Sequence, residues 1–312
     1  MNTKMMITFG LKMIALTIVL FVCFAVAPTI SGIFIPPVDS GTQTGAAQAV
    51  EPESAAVALL VVCAFQAVVL SYPIIRSRWT GWRLVITIFF VHYGVMTFLS
   101  QIETVLFLNY LVDVVPVEMI PALFLEGAIV AALFSPLAVL IHGKMKGSEE
   151  PQETNQRLVM PWTEWVWKLV LIAVVYVVIY FSFGWLVFMP LAGEAFQSYY
   201  GELQGPAWIL PLQMVRGIIW TALALPVIRM MKGKWWEAGL AVGLLFSVLM
   251  GFLLLIPNEF MPDAIRRAHF VEVSSSNFLF GWIVVGLFHR HHGSVRNLFR
   301  RSEGLETREV RI

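Results

Sequence analysis

Six polar side chains interrupt sequence that is otherwise apolar, and they are the ones able to do chemistry. They are His92, Glu103, Glu126, Arg216, Glu272 and Asn277, with Gln101 and Glu259 close by. An ionisable group in hydrocarbon is costly unless paired or wet, so such residues are candidates for a site by default. Three or more carboxylates face one guanidinium. Arg216 must find a counter-charge, and Glu126 or Glu272 is the expected partner. A carboxylate left over would hold its proton more tightly than usual and could carry protons or bind a cation. The chemistry on offer is therefore solute or ion binding, or a carboxylate relay. The competing reading is a purely structural ion pair.

The elements that carry these residues follow from composition. The 312-residue chain is 58% hydrophobic and 13% charged. Soluble domains are nearer one-quarter charged. A bilayer-spanning helix needs roughly 20 apolar residues at about 1.5 Å each. Eight such stretches are expected, at 11–28, 54–75, 83–108, 119–141, 164–189, 207–229, 235–256 and 268–289. They leave no room for a separate soluble domain, so any activity must sit in the helical bundle.

Charge sets the threading. Every Lys and Arg except Arg216, Arg266 and Arg267 falls on one side: at the N-terminus, in alternate loops or the helix ends beside them, or in the tail from Arg290 to Arg301 and beyond. The other loops carry acids, among them Asp39, Asp113, Glu118, Glu194 and Glu202. Basic loops stay in the cytoplasm, so both termini are expected there, in a cell membrane of bacterial type. Trp79, Trp82, Trp162, Trp165, Trp167, Trp235 and Trp236 lie beside the basic loops, as expected of headgroup-level Trp. The N-terminus resembles a signal peptide, but Pro28 directly follows Ala25-Val26-Ala27, which argues for a retained first helix. Segment 29–53 reads as an outer loop. Phe196, Tyr199, Tyr200 and Leu203 recur at helical spacing, which predicts a short helix lying on the outer surface.

The chain also resembles itself. Pro73-Ile74-Ile75-Arg76, followed by Trp82, recurs as Pro226-Val227-Ile228-Arg229, followed by Trp235, at an offset of 153. Ala122, Phe124, Glu126, Leu133 and Phe134 match Ala268, Phe270, Glu272, Leu279 and Phe280 at an offset of 146. This predicts two parallel four-helix halves, 1–142 and 161–290, joined by a cytoplasmic linker 143–160 and followed by a basic tail 291–312. Glu126 and Glu272 then occupy equivalent places, whereas Cys63 stands where Arg216 would be repeated.

Depth can be counted from the cytoplasmic helix ends. Arg216 lies 13 residues from Arg229, or roughly 20 Å. Glu126 and Glu272 lie 16 and 17 residues from His142 and His289, or roughly 25 Å. Glu103 is 20 residues from Arg83, or roughly 30 Å, near the outer surface beside Gln101 and Glu259. His92 and Gln66 fall near the middle. A polar chamber opening outward is expected, with Ser274, Ser275, Ser276 and Asn277 continuing its lining.

Other chemistries lack their residues. There is no Gly-x-Ser-x-Gly, His-Glu-x-x-His, Gly-x-x-x-x-Gly-Lys or Cys-x-x-Cys. Cys23 and Cys63 read as packing residues. The cluster of His289, His291 and His292 lacks a supporting carboxylate or thiolate, so neither metal nor cofactor is called for. Glu103 and His92 are too far apart along one helix, roughly 16 Å, to act together as acid and base. The basic tail suits anionic lipid rather than nucleic acid. The expectation is an all-α membrane protein that binds or passes a small polar solute or ion. The alternative is a non-transporting assembly or sensor subunit that recognises a membrane-protein partner through its outer helix or tail.

Overall fold

The computed structural model describes residues 3–35, 51–107, 117–147, 157–200, 207–258 and 261–298. The chain is all-helical, and among these residues the sole extended pairing is one antiparallel bridge between Ser77 and Met231. Helix α1 spans Thr3–Phe34 and α2 Pro52–Ile75. Helix α3, Gly81–Tyr93, continues through a π-turn at Gly94–Phe98 into α4, Leu99–Phe107. Helix α5 is Ile120–Ile141. Helix α6, Trp162–Phe183, passes through a second π-turn at Gly184–Phe188 into α7, Met189–Ala192, and the short α8, Glu194–Tyr200, follows. Helix α9 is Ile209–Met230. Helix α10, Trp235–Phe246, ends in a third π-turn at Ser247–Gly251 and a 3₁₀ turn at Phe252–Leu255. Helix α11 is Asp263–Phe288.

Eight of these helical stretches are long and apolar enough to cross a membrane. They correspond to the eight predicted, with one clear difference in extent. The first runs from Thr3 to Phe34, well beyond 11–28 at both ends, so the first part of the expected loop at 29–53 is helical. Pro28 lies inside it, and a helix can absorb one missing N–H and bend without ending. Segment 36–50 and residues Leu203 and Glu259 lie outside the described residues.

The core runs the length of the bundle. Helix α1 packs on α2 and α5, α3 on α5, α6 on α9 and α11, and α10 on α11. The two sets meet where α2 contacts α10 and α3 contacts α9. The α10–α11 contact is the tightest. Gly239 and Gly243 lie four apart on α10, and Gly281 of α11 sits against Gly243 backbone to backbone. Small residues at this spacing let helices approach closely where lipid offers no hydrophobic drive. A β-carbon added at Gly281 would stand 2.9 Å from the Gly243 Cα. A β-carbon at Gly94 would meet the flexible end of the Leu223 side chain, its methyls nearest. Gly281→Ala is therefore expected to lower stability by about 3 kcal/mol, and Gly94→Ala by about 1 kcal/mol. Thermal unfolding in detergent orders the two; equal midpoints would mean that the α10–α11 backbones can part.

The basic segments gather at one end and bond to one another. Arg78 N–H donates to Met230 O at 2.7 Å, and Lys232 N–H to Arg76 O at 2.8 Å. Arg76 pairs with Glu237 at 2.7 Å, and Glu237 also accepts from Lys234 N–H. Gly233, at φ +84°, lets the turn pass beside that carboxylate. Arg157 donates to the carbonyls of Ile228, Met231 and Gly233. Lys144 Nζ reaches Ser77 O at 3.2 Å.

A buried ion pair completes this end. Lys168 and Glu164, one turn apart on α6, pair at 2.6 Å with side chains 0% and 1% exposed. Glu164 also accepts the backbone N–H groups of His292 and Gly293 and faces the ring of His291. Lys168 donates to Arg290 O at 2.8 Å. The pair thus clasps the segment that leaves α11. Burial first, then the charges of Lys168, Arg290 and His289, holds the His292 ring down to about 4. Unfolded histidine titrates near 6.5, so as pH falls the unfolded chain takes up the proton first. Stability is full above pH 6.5 and is lost as pH drops towards 4, by about 3 kcal/mol at most from this ring. His142, bonded to Ser71 Oγ at 2.9 Å, is likewise depressed to about 4, by burial and then by Lys12. Unfolding followed from pH 7.5 to 4.5 should show the loss, and His292→Gln should flatten it; an unchanged slope would assign the acid sensitivity elsewhere.

Candidate functional site

Away from the basic end, polar side chains from four helical stretches converge. Helix α9 supplies Gln213, Arg216 and Trp220, all on its buried face together with Gly217, Thr221 and Ala224. That face recurs every three or four residues, so a single stripe carries the polar groups inward. Arg216 is 2% exposed. Its Nη1 donates to Glu103 Oε1 and, at 2.9 Å, to Gln213 Oε1, while its Nη2 reaches Leu99 O at 3.3 Å. Gln213 Nε2 donates to the same Glu103 oxygen at 3.2 Å. The Arg216 guanidinium lies 5.9 Å from the Tyr176 ring, whose hydroxyl accepts from Trp220 Nε1 at 3.1 Å.

Arg216 therefore pairs with Glu103, not with Glu126 or Glu272. The reason is direction. Side chains on a helix lean toward its N-terminus. Helix α9 begins at the end away from the basic loops, and α3 begins at the basic end. Arg216 thus leans away from the basic loops and Glu103 leans back toward them, which closes the roughly 10 Å that separates them by residue count. Helices α5 and α11 run in the same direction as α9, so the carboxylates of Glu126 and Glu272 lean away together with Arg216.

Glu272 belongs to a second cluster. Its Oε2 lies 3.3 Å from His269 Nδ1, and His269 Nε2 shares a 2.7 Å hydrogen bond with the Tyr200 hydroxyl. Both bonds are satisfied when Nδ1 carries the proton toward Glu272 and Nε2 accepts from Tyr200. The His269 ring stacks on Phe188 at 4.0 Å. Phe196, Tyr199 and Tyr200 of α8 pack over Phe188, Ala192, Ile265 and Ala268. Burial first, then the negative field of Tyr199, Glu103 and Glu272, pushes the Tyr200 phenol up. Glu103 and Glu272 thus both bear on Tyr200, while Glu103 alone pairs with the guanidinium. Arg216 keeps a buried Nε–H with no acceptor among the described residues.

The remaining candidates are not drawn into these clusters. Glu126 is half-buried on α5 and makes no hydrogen bond or ion pair among the described residues. Asn277 is turned to Met250 Sδ at 3.5 Å, and the Gln101 side-chain oxygen is buried without a partner among the described residues. His92 is fully buried, edge-on to Phe134 at 5.6 Å, and among the described residues neither ring nitrogen has a hydrogen-bond partner. The Gln66 amide is equally buried and has none among them either. Glu259 lies outside the described residues. No group of three or more metal-ligating side chains forms among the described residues.

Sequence reasoning missed Gln213, Tyr176, His269 and the contact of Tyr200 with the bundle. Two signals pointed to them: Gln213 stands one turn from Arg216, and His269 one turn from Glu272. The fold and the clusters together define an all-helical protein with eight helices able to cross a membrane and a polar nest between four of them. No known protein family, curated protein or solved structure matches this chain.

Proposed function

We propose that this is a multi-pass membrane protein that binds or passes a small polar solute or ion. Its chamber would lie on the outer side, with both termini in the cytoplasm of a cell of bacterial type. The observation that carries the reading is the Arg216 nest. A guanidinium is kept buried with one donor unused, and it pairs with one carboxylate, Glu103, that is itself about one-third exposed. A purely structural Arg would be expected to spend every donor. Glu103, Gln213 and Arg216 form the floor, and Glu272, His269 and Tyr200 the lid side. Among the described residues Glu126 stays apart as the free carboxylate.

Two observations support a duplicated four-helix unit. Helix pairing follows one order in both halves, α1 on α2 and α5 as α6 is on α9 and α11. The π-turns that begin at Gly94 and Ser247 lie 153 residues apart, the offset of the Pro-x-Ile-Arg match. π-turns are rare and mark functional places in helices. This arrangement supports parallel halves that move against each other around a site.

The test is thermal unfolding of the detergent-purified protein with a panel of small ions and metabolites, wild type beside Glu272→Gln and Glu126→Gln. A ligand at a hundred times its Kd should stabilise the wild type by about 2.7 kcal/mol and a variant lacking its contact by less. A panel that shifts none of the three proteins would favour the alternative, a non-transporting assembly or sensor subunit. For that alternative, the aromatic residues of α8 are half-buried against the bundle, and part of their surface stays open.

A further inference from the structure

We infer that the groove between α3 and α9 is a binding site for an anionic phospholipid, with one acyl chain in the groove and the phosphate on Arg83 and Arg229. The groove is about 310 Å³ and is lined by Ile86, Thr87, Phe90, Val91, Ile219, Ala222, Leu223 and Pro226. That is the small end of the range for ligand pockets, roughly 300–1,000 Å³. Its one hydroxyl, on Thr87, is already spent on Arg83 O at 2.9 Å. The lining therefore asks for hydrocarbon and offers nothing to a polar head.

The charge lies at one end only. On α3 the groove face is Ile86, Thr87, Phe90 and Val91, and Arg83 stands on that face one turn nearer the basic end. On α9 it is Ile219, Ala222, Leu223 and Pro226, and Arg229 stands one turn beyond in the same direction. Both arginines are exposed. The Arg83 guanidinium rests on the Trp79 ring at 3.8 Å, which holds it at the basic end of α3. From Arg83 to Val91 is eight residues, or roughly 12 Å, so the groove reaches into a single leaflet. Two cations at headgroup level over a one-leaflet apolar slot match a phosphate-bearing lipid of negative charge. A transmembrane helix from another protein would place uncharged side chains where the two arginines stand.

The inference rests on the bilayer-spanning reading above. The full chain is extracted in mild detergent and incubated with phosphatidylglycerol or with phosphatidylcholine of the same acyl length, and retained lipid is counted by native mass spectrometry. The wild type should retain phosphatidylglycerol in preference. Arg83→Gln with Arg229→Gln should weaken that preference about 25-fold, since each basic residue near the surface contributes about fivefold. Ala222→Phe, which fills the groove, should abolish retention of both lipids without lowering the unfolding midpoint. Millimolar inorganic phosphate should fail to displace the lipid, because it lacks the chain. Equal retention of both lipids by the wild type, or retention untouched by Ala222→Phe, overturns the proposal. A chain that stays soluble without detergent would overturn the spanning reading itself, which separates the two failures.

Discussion

Glu103→Ala should destabilise the protein by about 3–5 kcal/mol, whereas Arg216→Met should cost only about 1–2 kcal/mol. The asymmetry comes from burial. Arg216 is 2% exposed, and without Glu103 it would be a buried charge held by one amide and one carbonyl. Glu103 is 32% exposed, so without Arg216 it can turn to water. Adding Arg216→Met to Glu103→Ala should therefore restore most of the stability, because the orphaned charge is gone. Thermal unfolding of the two single variants and the double variant, followed by tryptophan fluorescence, reads this directly. Additive losses would mean that the two side chains are energetically independent. The cycle also bears on function: a variant that refolds well but no longer responds to ligand separates the binding role of the pair from its role in holding α9.

The second large effect concerns the clasp at the basic end. Glu164→Ala removes the acceptor of a fully buried Lys168 and the anchor of two backbone N–H groups. The loss should be about 3–5 kcal/mol. Lys168→Met should be milder, since Glu164 keeps the N–H groups of His292 and Gly293. Release of the tail gives an independent readout. Leu298 packs on the core, and both native cysteines are buried. A Leu298→Cys protein should react slowly with a bulky maleimide, and the same protein carrying Glu164→Ala should react at least tenfold faster. Equal labelling rates would show that the segment after α11 is held by something other than this ion pair.

Much of the architecture was legible because it depends on length and composition alone. Eight apolar stretches, the short helix carrying Phe196 and Tyr200, and the convergence of basic segments all follow from where charge and apolar residues fall. The polar residues within the helices were legible in the sequence, but their pairing was not. Arg216, Glu103 and Glu272 stood out as costly residues, yet counting rise per residue ranks Cα heights and ignores where side chains lean. Glu103 and Arg216 come from antiparallel helices and lean toward each other, a convergence that sequence position does not record. The π-turn at Gly94–Phe98 also falls between the basic end of α3 and Glu103, and a π-turn widens the helix and resets which face carries the residues after it. Glu164 and Lys168 escaped notice for a different reason. They stand beside Trp162 and Trp165 at a helix end, and their contact with residues 290–293 joins segments far apart in the chain, which sequence position does not record.

The bridge between Ser77 and Met231 has a mechanical consequence. With the Arg76–Glu237 pair and the three carbonyls held by Arg157, it pins the turn between α2 and α3 to the turn between α9 and α10. At the far end, among the described residues, side chains of α9 join the two sets: Arg216 bonds Glu103 and Leu99 O, and Gln213 bonds Glu103. A splay of the two sets about this end, like the jaws of a clothes-peg, would have to break the Arg216–Glu103 pair, since α9 carries one residue and the extension of α3 carries the other. The same ion pair that anchors α9 thus sits where leverage is greatest, and the pivot lies where it is least.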